Sequence, residues 1–366
     1  VGDVTRQLVD GYGRTHRDLR ISVTDRCNFR CAYCMPAEGM TWLPRSEVLT
    51  FEEIERLATL FVDRWGVDSI RLTGGEPTVR AHLPVLVAKL AALPVDLALT
   101  TNGSALPTMA HDLRVAGLGR LNVSCDSLRS DRFEALTGRD ELAKVLAGID
   151  AAVDEGFSPV KVNVVVMRGV NDDEVVDFAR FGRDRGVVVR FIEFMPLDAQ
   201  GKWRPDQVVP SGEILAAIES AFPLESVGRG GSVGRGGSVG RGGSVGRGGS
   251  VGRGGSVGRG GSVGRGHEPA ERWRYADGAG EVGVIASVTR PFCEQCDRVR
   301  LTADGKLRNC LFALEETDLR GPLRAGAGDG ELAALVEGNV AAKWSGHAIG
   351  QVQFIRPRRS MSQIGG

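Results

Sequence analysis

Cys27, Cys31 and Cys34 fall within eight residues of the stretch "TDRCNFRCAYCMP", with three residues in the first gap and two in the second. Thiolates are soft ligands, suited to iron–sulfur clusters and to zinc. A cubane 4Fe-4S cluster has four irons, so three thiolates leave one iron with an open position that a small molecule can occupy. A closed structural zinc site asks for a fourth donor, and none is near in sequence; His16 precedes the strand that leads into the loop. A second trio lies far along the chain in "PFCEQCDRVRLTADGKLRNCLF", where Cys293 and Cys296 form C-x2-C and Cys310 follows. It fits a second cluster with an open iron, and C-x2-C is also a common zinc half-site, so both readings stand. Cys125, the seventh cysteine, alternates with Ser124 on a strand and is expected to be a buried core thiol.

Beside the second trio, Arg298 and Arg300 point to one face of an extended segment and form a two-pronged clamp. Guanidinium groups suit phosphate oxygens because their planar fork donates several fixed hydrogen bonds. Arg20 and Arg71 on the first two strands, and Lys161 on the fifth, are candidates to face the same cavity; such a set of cations suits a triphosphate. "TGGEP" (73–77) places two glycines where the backbone can approach a ligand closely.

These residues need a scaffold. β-rich runs at 19–25, 68–76, 95–103, 120–127, 159–167 and 187–195 alternate with helical patterns, such as Phe51 to about Trp65 and about 82 to 92. Six βα units with right-handed crossovers predict an α/β fold, a parallel sheet curled into a full or partial barrel. Chemistry in such folds collects at the C-terminal ends of the strands, and "TDRC", "TGGEP", "TTNG" and "VSCDS" sit there.

Formal charge is zero, with 46 basic and 46 acidic side chains, but residues 226–266 hold seven arginines and no acids, leaving the remainder acidic. That excludes an overall basic footprint for nucleic acid. The same stretch repeats "SVGRGG" from Ser226 six times before "SVGRG" closes it. With glycine at half the positions and one valine per unit it cannot offset the entropy of ordering, so it reads as a flexible insert. No apolar run approaches the roughly 20 residues that span a bilayer, and no secretory pattern opens the chain, so a cytoplasmic location without membrane contact is expected. Reducing conditions there disfavour a disulfide framework.

The cysteine motif after a first β-strand resembles that of the radical S-adenosylmethionine (SAM) superfamily, and the whole constellation is similar to its GTP 3',8-cyclase family. The likeness spans nearly the whole chain apart from the repeat. It implies a partial (β/α)6 TIM-like barrel of the radical SAM type with a C-terminal cluster-binding extension. The expected organisation is a barrel at 1–225, the flexible repeat at 226–266, an auxiliary-cluster region at 267–354 and a tail at 355–366 ending in two glycines that reach toward the active site.

By motif, the resemblance assigns Cys27, Cys31 and Cys34 to the SAM cluster and Cys293, Cys296 and Cys310 to a substrate-side 4Fe-4S cluster. Tyr33, Gly75, Ser124 and Met195 match SAM-binding positions; Arg20, Arg71, Thr100, Lys161, Arg298, Val299 and Arg300 match GTP-binding ones, with Arg20, Arg298 and Arg300 also carried as catalytic. The activity implied is a lyase reaction: a 5'-deoxyadenosyl radical takes hydrogen from ribose C3' of GTP and C3' bonds to C8, opening molybdenum cofactor biosynthesis. Implied partners are a companion cyclic pyranopterin monophosphate synthase, an electron donor such as flavodoxin or ferredoxin, and a second copy in a homodimer. A peptide-modifying radical SAM enzyme and a non-enzymatic zinc protein are the rival readings.

Overall fold

A computed structural model describes residues 6–35, 40–197, 201, 203–228, 269–351 and 354–365. The six strands expected from the sequence are present: β1 (Asp18–Ser22), β2 (Ser69–Thr73), β3 (Asp96–Thr101), β4 (Arg120–Ser124), β5 (Val160–Val166) and β6 (Val188–Glu193). They pair in sequence order and all run parallel. Between them run α1 (Phe51–Trp65), α2 (Leu83–Ala91), α3 (Leu106–Val115), α4 (Ser130–Thr137), α5 (Leu142–Asp154) and α6 (Val175–Arg185). Local chemistry sets these boundaries. In α1, the Thr50 hydroxyl accepts from the Glu53 amide while the Glu53 carboxylate accepts from the Thr50 amide, and Gly66 in the left-handed region ends the helix. Ile54, Leu57, Phe61 and Trp65 then recur on one face and are buried in the main core.

After α7 (Ser211–Glu219), the chain continues through β7 (Leu224–Gly228), β8 (Glu271–Tyr275) and β9 (Glu281–Ile285). β10 (Arg298–Leu301), β11 (Lys306–Arg308) and β12 (Thr317–Asp318) follow, with α8 (Arg320–Arg324), α9 (Asp329–Ala341) and α10 (Met361–Ile364) completing the described elements. The C-terminal part does more than append to the barrel. β9 adds parallel to β6 and β10 adds parallel to β1, so both edges of the six-stranded sheet are extended by later sequence. The result is one open 12-stranded sheet, ordered β12-β11-β10-β1-β2-β3-β4-β5-β6-β9-β8-β7.

The flexible reading of the repeat falls on residues outside the described set from 229 to 266. Its first residues, Ser226 to Gly228, belong to β7 and pair antiparallel with β8, so the insert joins two neighbouring strands. Among the described residues no helix is long and apolar enough to cross a membrane.

Candidate active site

The first cysteine trio follows β1 and is pinned from two sides. Arg30 N donates to Thr137 O (2.8 Å) and Ala32 N to Leu136 O (3.0 Å), which ties the loop to the end of α4. On the other side, Gly75 N donates to Thr24 O (2.8 Å) and Glu76 N to Arg26 O (2.7 Å). A Cβ on Gly74 would stand 2.4 Å from Thr24 O, and one on Gly75 would stand 2.4 Å from Arg26 O. The glycines of "TGGEP" are therefore required first by backbone-to-backbone packing against the cysteine loop. Glu76 fixes that turn: its buried carboxylate accepts from Thr101 Oγ1 (2.7 Å), Thr78 Oγ1 (2.6 Å) and Asn102 N (2.6 Å).

All three cysteines of this loop border a cavity of about 260 Å³, together with Tyr33, Gly75, Ser124 and Met195. Thus every residue matched to SAM binding borders the same cavity as the cysteines. Burial pushes the Cys27 thiol up to about 11 and Cys34 up to about 12, and raises Cys31 as well. Opposing this, Phe29 N donates to Cys27 Sγ, and both the amide and the hydroxyl of Ser362 donate to Cys34. Tyr33 is held by Asp126, whose Oδ2 accepts from the phenol at 2.5 Å while its Oδ1 accepts from Val165 N at 2.7 Å. Burial raises the Asp126 carboxyl to about 6, against those two hydrogen bonds.

Below the cysteine wall is a layer of arginines. Register places Arg20 of β1 opposite Arg71 of β2 and Arg300 of β10, with Arg298 two residues earlier opposite Asp18. Leu19, Ile21, Val299 and Leu301 alternate with them and are buried in the main core. Asp18 is the carboxylate of this layer: burial raises its pKa, but Arg20, Arg71, Arg298 and Arg300 together outweigh that and lower it. Arg20 shows the reverse balance, with burial and then Arg71, Arg298 and Arg300 depressing its pKa well below the ordinary value. Its Nε is buried with no hydrogen-bond partner among the described residues. Four guanidinium groups around one carboxylate form a site that favours a multivalent anion.

The second trio lies at the other end of the strands, opposite the C-terminal ends that carry the first trio. Cys296 stands just before β10, which runs parallel to β1, while Cys310 follows the antiparallel β11; both therefore sit at the N-terminal end of β1. With about 3.3 Å per strand residue, Cys296 and the top of β1 are roughly 20 Å apart, with the arginines between. His347 N donates to Cys293 Sγ, Phe312 N to Cys310 Sγ (3.4 Å) and Lys343 Nζ to Cys296 Sγ (3.4 Å). Burial raises the Cys296 thiol, but Lys343 and Arg298 outweigh it, so its pKa falls below the ordinary value.

Arg20, Arg71, Thr100 and Arg300 border the cavity, whereas Lys161, Arg298 and Val299 stand outside that wall. Val299 turns its side chain into the core, so only its backbone can meet a ligand. The tail enters the same space: Met361 is on the wall, and the Arg300 guanidinium donates to Gly365 O. Lys343 carried no local signal, Glu76 and Asp126 lie inside "TGGEP" and "VSCDS" where their neighbours drew the assignment, and His16 entered only as a zinc donor too far from the loop. Cys125 is buried in the main core, as expected.

Both trios suit cubane clusters: three half-buried free cysteines each, with hydrogen bonds reaching the sulfurs of Cys27, Cys296 and Cys310. Among the described residues no three His, Cys, Asp or Glu side chains converge as a site for one metal ion. A cubane asks for a different arrangement, one sulfur to each iron.

Comparison with known proteins agrees with this geometry. A family model described as the radical SAM superfamily matches residues 21–182, and one described as Molybdenum Cofactor Synthesis C matches residues 261–349. The fold is that of a radical SAM protein. A Streptomyces coelicolor protein named GTP 3',8-cyclase is 45% identical over 361 residues, covering 98% of this chain and 96% of that relative. One of the same name from Acidothermus cellulolyticus is 46% identical over 349 residues, covering 93% and 87%. A solved methylornithine synthase structure overlaps at a TM-score of 0.45 with 18% identity, covering 57% of this chain and 63% of the other. The chain belongs to the GTP 3',8-cyclase family.

Proposed function

We propose that this chain converts GTP to (8S)-3',8-cyclo-7,8-dihydroguanosine 5'-triphosphate, the first step of molybdenum cofactor biosynthesis. The observation that carries the reading is the layer of Arg20, Arg71, Arg298 and Arg300 around Asp18, set between two cysteine trios at opposite ends of the same strands.

In this reading Cys27, Cys31 and Cys34 would hold the first cluster, beside the pocket that takes SAM. Gly75, Ser124 and Met195 line the SAM pocket, and Tyr33, fixed by Asp126, flanks it. Cys293, Cys296 and Cys310 would hold a second 4Fe-4S cluster at the guanine end of the nucleotide. The arginines take the triphosphate, assisted by Thr100, Lys161 and the Val299 backbone. Gripping the nucleotide at base and phosphates is an orientation effect that brings C3' and C8 into reacting geometry. When bound, the first cluster would supply the electron for reductive cleavage of SAM, the chemistry that opens hydrogen removal at C3'. Walls that exclude water protect the reaction from side paths.

The product passes to a companion cyclic pyranopterin monophosphate synthase, and the electrons come from a donor of the flavodoxin or ferredoxin type. Anaerobic incubation of the reconstituted protein with GTP, SAM and reductant is expected to yield 5'-deoxyadenosine and the cyclised nucleotide in GTP-dependent fashion. SAM cleavage with both clusters present but no dependence on GTP would defeat the reading and favour a peptide substrate.

A further inference from the structure

Behind the second trio stands a buried amine. Lys343 follows α9, its amide donating to Val340 O (3.0 Å), and only 4% of the residue is exposed. Three acceptors surround Nζ: His16 Nε2 at 2.8 Å, Arg298 O at 2.9 Å and Cys296 Sγ at 3.4 Å. An ammonium has three hydrogens and no lone pair, so the shell matches the charged amine bond for bond. His16 is suited to accept. Burial, and then the Lys343 charge, lower its pKa to about 3, so the ring is neutral at physiological pH.

The N-terminal segment before β1 builds the rest of this support. Asp10 binds Arg14 (2.6 Å) and lies 3.7 Å from His16 Nε2. Arg14 in turn donates to Cys293 O (2.7 Å) and Ser345 O (2.8 Å), bracing the loop that carries the second trio. Burying an ammonium costs several kcal/mol unless it meets compensating charge, and an apolar chain of equal length would fill the site at lower cost. Facing a thiolate ligand gives the charge its reason.

We infer that Lys343 is a positioning residue of the second cluster: held by His16 and the Arg298 carbonyl, its ammonium donates a charged hydrogen bond to the Cys296 sulfur and raises that cluster's reduction potential. The inference rests on the reading of Cys293, Cys296 and Cys310 as cluster ligands. Reduction adds negative charge to a cluster and its sulfurs, and a neighbouring cation that donates to one of those sulfurs stabilises the reduced state more than the oxidised one.

The test is an EPR-monitored redox titration of the anaerobically reconstituted full chain, with iron analysis beside it. Lys343→Met, near-isosteric and uncharged, is expected to keep its iron and move the second cluster's midpoint to more negative potential, while Lys343→Arg returns it toward the wild-type value. The first cluster's midpoint stays fixed in all variants and serves as the internal reference. An unshifted second midpoint in iron-replete Lys343→Met overturns the inference. If that variant cannot hold the cluster, His16→Phe, which keeps the ammonium but removes its anchor, must shift the midpoint the same way, and no shift there overturns it too. A wild-type chain that binds iron for a single cluster would instead refute the underlying ligand assignment.

Discussion

Replacing Arg20 with methionine tests whether the arginine layer exists for an anion or for the fold. Paired strands lie about 4.8 Å apart, so in-register guanidinium groups stand roughly 6 Å from one another. At an effective dielectric constant near 20, each such like-charge pair costs about 3 kcal/mol. Arg20 has two in-register neighbours of its own sign, Arg71 and Arg300, and the nearby Asp18 offsets one of them. Arg20→Met therefore relieves about one uncompensated pair, and after allowance for lost packing the nucleotide-free protein gains about 1–3 kcal/mol, raising Tm by a few degrees. GTP binding moves the other way. Each lost hydrogen bond to a charged group is worth about 1.5–3 kcal/mol, so affinity falls roughly 10- to 150-fold. Anaerobic thermal unfolding with and without GTP reads both effects in one experiment. Nucleotide-free Arg20→Met that is destabilised by 3 kcal/mol or more, the range expected when a true buried ion pair is broken, would show that Arg20 serves Asp18 and the fold.

Three further perturbations probe the remaining parts. Gly75→Ala places a Cβ 2.4 Å from Arg26 O, so the cysteine loop must shift; a cost of about 1–3 kcal/mol and iron loss confined to the first trio are expected, read by iron analysis and EPR. Because the Asp126 carboxyl is raised to about 6 in the fold from 3.8, the native state binds more protons than the unfolded chain between those values. Stability at this site therefore falls by about 1 kcal/mol as pH rises from 5 to 6, and Asp126→Asn removes that slope in denaturant titrations. Deleting residues 232–261, five whole repeat units, shortens the connection between paired strands β7 and β8 and is expected to preserve cyclase activity with a gain of about 1 kcal/mol; a folded, fully clustered deletion protein without activity refutes it.

The legible part of this protein was its local chemistry. The six strands could be read because each is a short apolar run bounded by turn residues, and the cysteine spacing placed a cluster loop directly after β1. Alternation also predicted correctly that Cys125 would face the core, opposite Ser124, which the resemblance matched to SAM binding and which borders the cavity. What could not be read was non-local. β10 is only four residues long, carries two arginines, and finds its place beside β1 across most of the chain, so no local pattern announced that the second trio would end up beneath the first. His16 and Lys343 are 327 positions apart and meet only because α9 ends beside the segment that leads into β1.

That non-local seam between β1 and β10 explains why the arginines can be buried at all. Arg20 and Arg300 each alternate with leucine, isoleucine or valine whose side chains fill the main core, so the strands are anchored by their apolar faces and the cationic faces have nowhere else to turn. The apolar residues Leu19, Ile21, Val299 and Leu301 are fully buried, each worth about 1.5–3 kcal/mol in removal from water, and together they offset the repulsion within the charge layer around Asp18. The layer is thus strained in the absence of an anion and satisfied in its presence, so part of the binding energy of a triphosphate is relief of repulsion already built into the sheet. Changing Leu19 to alanine would weaken that anchor without touching a cation; nucleotide-free stability should then fall by about 2–5 kcal/mol, while the stabilisation added by saturating GTP stays close to that of the wild type, and a GTP increment lost along with the anchor would show that the apolar face also sets the geometry of the cations.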